Sequence, residues 1–303
     1  MKTVLLTGGS GFVGGYLQHH LRARAPELAI LAPALDITDQ PGITRLIETT
    51  KPDALLHLAA ISTPAEAADS PGQAWKVNVK GTLNLAQAVL AHAPSCRFIF
   101  ISSAEVYGRA FMGGAPVTED TPPAPLTPYA RTKAEAEAAL AALPELRLLR
   151  LRPANHTGPG QTPDFVMPAF ARQIARIEAG LQPPILTTGN LDARRDFLDV
   201  RDVCAAYASA LALPEPAPGE ILNIGAGTTQ RVGDLLDIML GLSKARIRVR
   251  ADPGKQRPSE IPEARIDNSR AKARLGWSPR IPIHETLAAT LDFWRAAEAL
   301  AER

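Results

Sequence analysis

Four short apolar runs, at residues 4–7, 54–58, 98–102 and 146–151, punctuate the first half of the chain, each followed by polar or glycine residues. Their brevity and largely apolar make-up mark them as buried strands. Longer stretches between them carry a helical period: Val13, Leu17 and Leu21 fall at i, i+4 and i+8, and Leu83, Val89 and Leu90 mark a second apolar face. Strands alternating with helices form βαβ units, and right-handed crossovers wind these into an α/β, Rossmann-like, doubly wound parallel sheet. Such a sheet holds its ligand at the carboxyl ends of its strands.

The texture changes after Arg152. Residues 153–160 and the region of Pro183 and Pro184 cluster proline and glycine, as loops do. The stretches 189–201 and 254–263 are polar, arginine-rich and irregular, which predicts a smaller lid returning repeatedly to the main sheet. The expected division is a first domain over residues 1–155, rejoined by parts of about 190–225, and a smaller substrate-binding domain over 156–303.

Composition narrows the classes. With 303 residues, 46% hydrophobic and 21% charged, the chain can bury a core large enough to carry a cleft. A net charge of +2 without a basic stripe argues against a nucleic-acid partner. No apolar run approaches the roughly 20 residues of a membrane span. Met1-Lys2-Thr3 leads straight into Val4-Leu5-Leu6, leaving no room for a signal peptide. Cys96 and Cys204 sit unpaired in apolar surroundings, so a cytoplasmic protein with two buried reduced thiols is expected. No Cys/His grouping has zinc spacing, and no metal site is expected.

Thr7-Gly8-Gly9-Ser10-Gly11-Phe12-Val13-Gly14 follows the first strand and opens the first helix. Glycines at 8, 11 and 14 permit a tight turn, close approach of backbone N–H groups to a pyrophosphate, and close packing of helix on strand. The helix N-terminus favours the anion. A glycine pattern alone serves any tight strand-to-helix turn; its place at the head of a βαβ unit favours a dinucleotide, with Gly8, Gly11, Phe12, Val13 and Gly14 as contacts. The acid usually found about 20 residues on, for the adenosine ribose, is missing. Leu31-Ala32-Pro33-Ala34 stands there, and the first carboxylate is Asp36, which with Ile37 is the remaining candidate contact. Without a carboxylate to repel a ribose phosphate, and with Arg22 or Arg24 nearby in sequence, the pattern leans to NADPH over NADH.

Tyr129-Ala130-Arg131-Thr132-Lys133 places a phenol and an ammonium one helical turn apart, after Pro128. A phenol titrates near 10, and a neighbouring ammonium is expected to draw it towards the working range. Ser102-Ser103-Ala104-Glu105-Val106-Tyr107-Gly108 follows the 98–102 strand, where a hydroxyl can polarise a carbonyl. Alone, a Tyr and Lys so spaced describe a solvated helix surface; with the glycine loop and an upstream serine they describe a site. Tyr129, Lys133 and Ser103 resemble the triad of extended short-chain dehydrogenases/reductases. Leu58-Ala59-Ala60 and Asn78-Val79-Lys80-Gly81-Thr82 resemble that family's cofactor-side segments. The resemblance implies Ser103, Tyr129 and Lys133 as catalytic residues, and Leu58, Ala59, Ala60, Asn78, Tyr129 and Lys133 as cofactor contacts.

Three further stretches, 152–161, 189–202 and 257–262, are similar to those of GDP-4-keto-6-deoxy-D-mannose reductases. The resemblance implies Ser103, Glu105, Asn155, His156, Arg195, Arg257 and Glu260 as substrate contacts. Arginines suit this role because their forks bind diphosphate oxygens in pairs. Their ordinary alternatives are surface ion pairs for the arginines, a turn cap for Asn155 and a packed, backbone-bonded ring for His156. GDP-mannose 4,6-dehydratases are similar around 189–196 and carry a Glu where Glu105 stands, but resemble this chain less at 158–161 and have Thr where it has Ser103. GDP-fucose synthase has a Cys at the position of Glu105, which argues against inversion at carbons 3 and 5.

The implied activity is NAD(P)H-dependent reduction of the 4-keto group of GDP-4-keto-6-deoxy-D-mannose to GDP-D-rhamnose. Tyr129 would give the proton, Lys133 lower its pKa and Ser103 bond the oxygen. A 4,6-dehydratase, a 4-epimerase and a non-catalytic dinucleotide sensor remain as alternatives, and the base could be dTDP or UDP in place of GDP. The resemblance also implies a homodimer through helices near 83–90 and 129–140.

Overall fold

The computed structural model describes residues 2–214, 216–252, 254 and 261–301. Strands β1 (Thr3–Thr7), β2 (Ala29–Leu31), β3 (Ala54–His57), β4 (Arg97–Ile101), β5 (Arg147–Pro153) and β6 (Glu220–Ile224) form one sheet, ordered β6-β5-β4-β3-β1-β2. Every pairing in it is parallel. This is the doubly wound architecture that the alternation of short apolar and longer amphipathic stretches predicts.

Helices cover both faces. Alternation along β4 sends Phe98 and Phe100 to one side and Ile99 and Ile101 to the other. The phenylalanines meet α2 (Gln40–Thr50), α3 (Thr82–His92) and α4 (Pro128–Ala141) through Ile43, Ile47, Leu85, Val89, Ala136 and Leu140. The isoleucines meet α1 (Phe12–Arg24) through Leu17 and Leu21. Each fully buried valine, leucine, isoleucine or phenylalanine among them contributes about 1.5–3 kcal/mol. One apolar face differs from expectation. On α3 Leu85, Ala86 and Val89 are buried, whereas Leu83 and Leu90 are half-buried. Residues 85 and 89 share the inward stripe, and 83 and 90, seven apart, share a different one.

The second half divides its elements between two cores. Helix α5 (Val166–Glu178) packs with α7 (Val232–Gly241) and α9 (Ile283–Ala301) around Phe170, Ile174, Leu235, Met239 and Leu291. Helix α6 (Val200–Ala212) instead packs on α1, and Ala271 of α8 (Ser269–Leu275) and Trp277 enter the same core. Short pairings stitch the smaller lobe together: Asn155–Thr157 with Phe197–Asp199, and Arg194–Arg195 with both Gln230–Arg231 and Glu263–Ala264. No described helix is long and apolar enough to cross a membrane.

Two buried polar assemblies position the site. Arg152 of β5, only 2% exposed, donates from Nε to Glu137 of α4 at 2.9 Å and stacks 4.7 Å from the ring of Tyr107. The Tyr107 hydroxyl donates to Asn223 of β6 at 2.7 Å. The second assembly is a thread across the sheet. Thr82 donates to the Asn78 carbonyl at 2.7 Å, so its oxygen accepts from His57 Nε2–H at 2.8 Å. His57 Nδ1 then accepts from the Thr7 hydroxyl at 2.7 Å, and Thr7 accepts from Ala59 N–H at 3.3 Å. Asn78 carries the thread onward, donating to Thr132 of α4 at 2.9 Å, and Thr132 donates to the Tyr129 carbonyl at 2.8 Å.

Burial, followed by the Lys133 charge, pushes His57 down to about 3. Unfolded, the same ring titrates near its ordinary 6.5. Between those values the unfolded chain binds the extra proton, so acid removes stability through that window. Relative to a His57→Leu variant, the parent should lose about 1.4 kcal/mol of unfolding free energy per pH unit between roughly pH 5.5 and 4. Urea unfolding of both proteins at three pH values measures the difference; parallel slopes would show that His57 does not remain neutral in the native core.

Candidate active site

The carboxyl ends of β1, β3, β4 and β5 open into a cleft of about 650 Å³. The loop after β1 forms its floor. Gly8 has φ +72°, and a Cβ there would lie 2.7 Å from Ala59 N. A Cβ on Gly14 would lie 2.3 Å from the Gly8 carbonyl oxygen. The loop therefore presses on the chain leaving β3 and on the first turn of α1, and larger residues would break both contacts. No side chain caps α1, whose N-cap is Gly11. Its first-turn N–H groups face the cleft with the positive end of the helix dipole, a ready seat for a pyrophosphate. Gly8, Gly11, Phe12, Val13, Gly14, Leu58, Ala59 and Ala60 all line this space. The chain thus fits a dinucleotide.

The opposite wall carries the titratable groups. Thr127 accepts from Ala130 N–H at 3.1 Å and Pro128 begins the helix, fixing the register that presents Tyr129 and Lys133 on one face. Ser103 caps the turn after β4 by accepting from Glu105 N–H at 3.1 Å, and it hydrogen-bonds the Tyr129 phenol. Ser103, Glu105, Tyr129 and Lys133 line the cleft together.

The electrostatics correct one expectation. Lys133 does not draw the phenol down here: burial first and the Glu105 carboxylate second push Tyr129 above its ordinary value, opposed by the Ser103 hydrogen bond. The Lys133 ammonium is turned to the Ile101 carbonyl at 2.8 Å and lies 5.0 Å over the Phe100 ring. Burial lowers Lys133 to about 8, against a smaller upward pull from Glu137. Glu105 is itself raised by burial, with the Arg195 charge and the Thr127 hydroxyl pulling the other way.

A second pocket of about 380 Å³ adjoins the cleft and shares Ala104, Glu105, Ala154 and Asn155 with it. Arg195 lines this pocket, its guanidinium lowered by burial and raised by Glu105. His156 lines the cleft with Nδ1 3.0 Å from the Ala154 carbonyl, and burial lowers its pKa. Both readings of this ring meet in one geometry, bonded to backbone and facing the cleft.

Other expected contacts lie elsewhere. Asp36 is exposed and bonded to Thr38 at 2.8 Å, and Ile37 is buried beneath Gly81; neither lines the cleft. Asp36 Oδ1 accepts from the backbone N–H and the hydroxyl of Thr38 in the turn that follows β2. Asn78 is 1% exposed and holds Ile61 N–H and carbonyl at 2.8 and 3.0 Å, supporting the wall without lining it. Arg22 bonds Gln18 at 3.0 Å. Arg257 and Glu260 fall outside the described residues. Sequence reasoning missed Thr63, Gln161, Asp164 and Tyr207 as lining residues. Gln161 ends the 152–161 stretch and had a signal; Tyr207, mid-helix in an apolar stretch, had none.

The GDP-mannose 4,6 dehydratase family model matches residues 29–290. GDP-6-deoxy-D-mannose reductase of Pseudomonas aeruginosa is 36% identical, over 97% of this chain and 98% of that protein. dTDP-glucose 4,6-dehydratase of Xanthomonas campestris pv. campestris is 31% identical, over 97% and 93%. The structure of RMD from Pseudomonas aeruginosa complexed with NADPH superposes with a TM-score of 0.91 at 35% identity, covering 98% of this chain and all 100% of that one.

Gly14 and Gly15 offer a paired test of the loop. Gly15 has open space where its Cβ would stand. Gly14→Ala should cost ~1–3 kcal/mol of stability by overpacking and weaken NADPH binding about ten-fold or more in a fluorescence titration. Gly15→Ala should leave binding within about two-fold and gain a little helix stability. Equal affinities for the two variants would refute the close approach.

Proposed function

The chain belongs to the GDP-mannose 4,6-dehydratase family, among the extended short-chain dehydrogenases/reductases, and we propose that it reduces the 4-keto group of GDP-4-keto-6-deoxy-D-mannose to GDP-D-rhamnose with NADPH or NADH. The observation that carries this reading is the buried Tyr129 phenol, hydrogen-bonded to Ser103 and lining one cleft with Lys133 and the glycine loop. A phenol keeps its proton at neutral pH, and beside the Ser103 hydroxyl it can hydrogen-bond and protonate a ketone oxygen. The full-length likeness to a GDP-6-deoxy-D-mannose reductase supports the same direction.

The residues divide the work. Gly8, Gly11, Phe12, Val13 and Gly14 hold the pyrophosphate, with Leu58, Ala59 and Ala60 along one side. A reduced nicotinamide held there would supply hydride chemistry at carbon 4 of the sugar. Ser103, its oxygen already accepting from Glu105 N–H, has its own proton to offer the ketone oxygen. Tyr129 gives its proton to that oxygen as negative charge develops. Lys133, held by the Ile101 carbonyl, keeps an ammonium beside the site and binds ribose hydroxyls. Asn155, His156 and Arg195 take the nucleotide diphosphate and the sugar, and Arg257 and Glu260 complete that set.

Glu105 favours a second reading, a 4,6-dehydratase, because a half-buried carboxylate of raised pKa can serve as a proton acceptor next to a keto group. We place the reductase in the cytoplasm as a homodimer joined by the outer faces of α3 and α4. Half-buried Leu83 and Leu90, and Trp75 at 47% exposure bonded to Glu135 at 2.6 Å, support that face.

Mixing the protein with NADPH and the 4-keto sugar should oxidise the cofactor, read as lost near-ultraviolet absorbance. Tyr129→Phe should lower kcat by roughly 10²–10⁴-fold while NADPH affinity changes little. Consumption of GDP-mannose with the oxidised cofactor, and no reduction of the keto sugar, would assign the dehydratase instead. The pH profile gives a second check. Lys133 is charged below about 8 and neutral above it, so kcat/KM for NADPH, which reports the free protein, should fall as pH rises through that value. A profile flat from pH 6 to 10 would remove Lys133 from cofactor binding.

A further inference from the structure

Tyr207 is 0% exposed, lines the cleft, and its hydroxyl has no hydrogen-bond partner among the described residues. A buried phenol without a partner carries a desolvation penalty, and native proteins seldom leave one unless something else satisfies it. Its placement says where that partner lies. Helix α6 begins beside Gly158 and Phe12 at the carboxyl edge of the sheet, where Val200 Cγ1 would meet a Gly158 Cβ at 2.8 Å. It ends at the opposite edge, where Arg97, the first residue of β4, donates to the Leu211 carbonyl at 3.1 Å. Helical side chains lean towards the helix N-terminus, so Tyr207 points up to the cleft from below. Ile101 and Pro153, which end β4 and β5, line the same space. Burial first, then the Cys204 and Tyr129 charges, raise the pKa of the Tyr207 hydroxyl.

Resting on the cofactor reading above, we propose that Tyr207 is a positioning residue that donates a hydrogen bond from beneath the cleft to the nicotinamide half of the dinucleotide, at its carboxamide. The sheet order decides which half. The glycine loop seats the pyrophosphate over β1, the adenosine extends towards β2, and the reactive ring must lie towards β4 and β5, beside Tyr129. A primary carboxamide is the polar group of that ring, and its carbonyl accepts what a phenol donates. Held from below, the ring keeps one orientation towards the ketone.

The test compares two probes on the parent and Tyr207→Phe: NADPH, and adenosine 2′,5′-bisphosphate, which lacks the nicotinamide half. The variant should bind NADPH roughly three- to ten-fold more weakly, bind the bisphosphate as the parent does, and melt within a degree of it. NADPH affinity unchanged would mean the hydroxyl serves an internal water and would overturn the proposal. Equal weakening for both probes would overturn it too, because the role would then be structural. A parent that binds neither probe would instead bring down the cofactor reading itself.

Discussion

The thread of hydrogen bonds through His57 is the constraint that the site depends on. It starts at Thr7, the last residue before the glycine loop, and ends at the carbonyl of Tyr129. Between them it crosses β3, α3 and α4 through groups that are each satisfied once His57 is neutral. A fully paired buried network fixes geometry in a way that apolar packing does not, since a shift of one member strands its neighbours. The loop that seats a pyrophosphate and the helix that presents the phenol are thereby held in one frame, although 122 residues separate Thr7 from Tyr129.

Around that frame the site is built from buried titratable groups set against one another. Burial raises Tyr129 and Glu105 and lowers Lys133, so each is pushed towards its neutral form. Glu105 and Arg195 restrain each other across the wall between cleft and second pocket. Low dielectric makes every charge that enters, a diphosphate above all, count for more than it would in water. The phenol's proton is retained until an oxygen beside it becomes basic enough to take it.

The smaller lobe completes the cleft with small sheets of two or three strands among the described residues. Its strand pairs are two or three residues long near the site, and they bring Arg194–Arg195 beside Glu263–Ala264 and Asn155–Thr157 beside Phe197–Asp199. Asp196, buried between them, accepts from Ala226 and Gly227 N–H at 2.8 Å each, and burial raises it to about 6. That cluster anchors the strand carrying Arg195 to the end of β6, so the second pocket inherits the rigidity of the main sheet.

Local pattern alone determined the parallel sheet, the glycine loop and the turn-apart phenol and ammonium, because period, glycine placement and helical spacing are written in neighbouring residues. Family resemblance over long segments, and not local pattern, implied Asn155 and Arg195, and both line the second pocket. Tertiary structure decided what those signals left open. It bonded Asp36 to Thr38, set Asn78 behind the wall, and directed the Lys133 ammonium to a backbone carbonyl in place of the phenol. It brought α6, and with it Tyr207, under a cleft formed some hundred residues earlier. Burial and long-range hydrogen bonds set these outcomes, and both depend on which surfaces meet after the chain has closed, a quantity no stretch of sequence contains by itself.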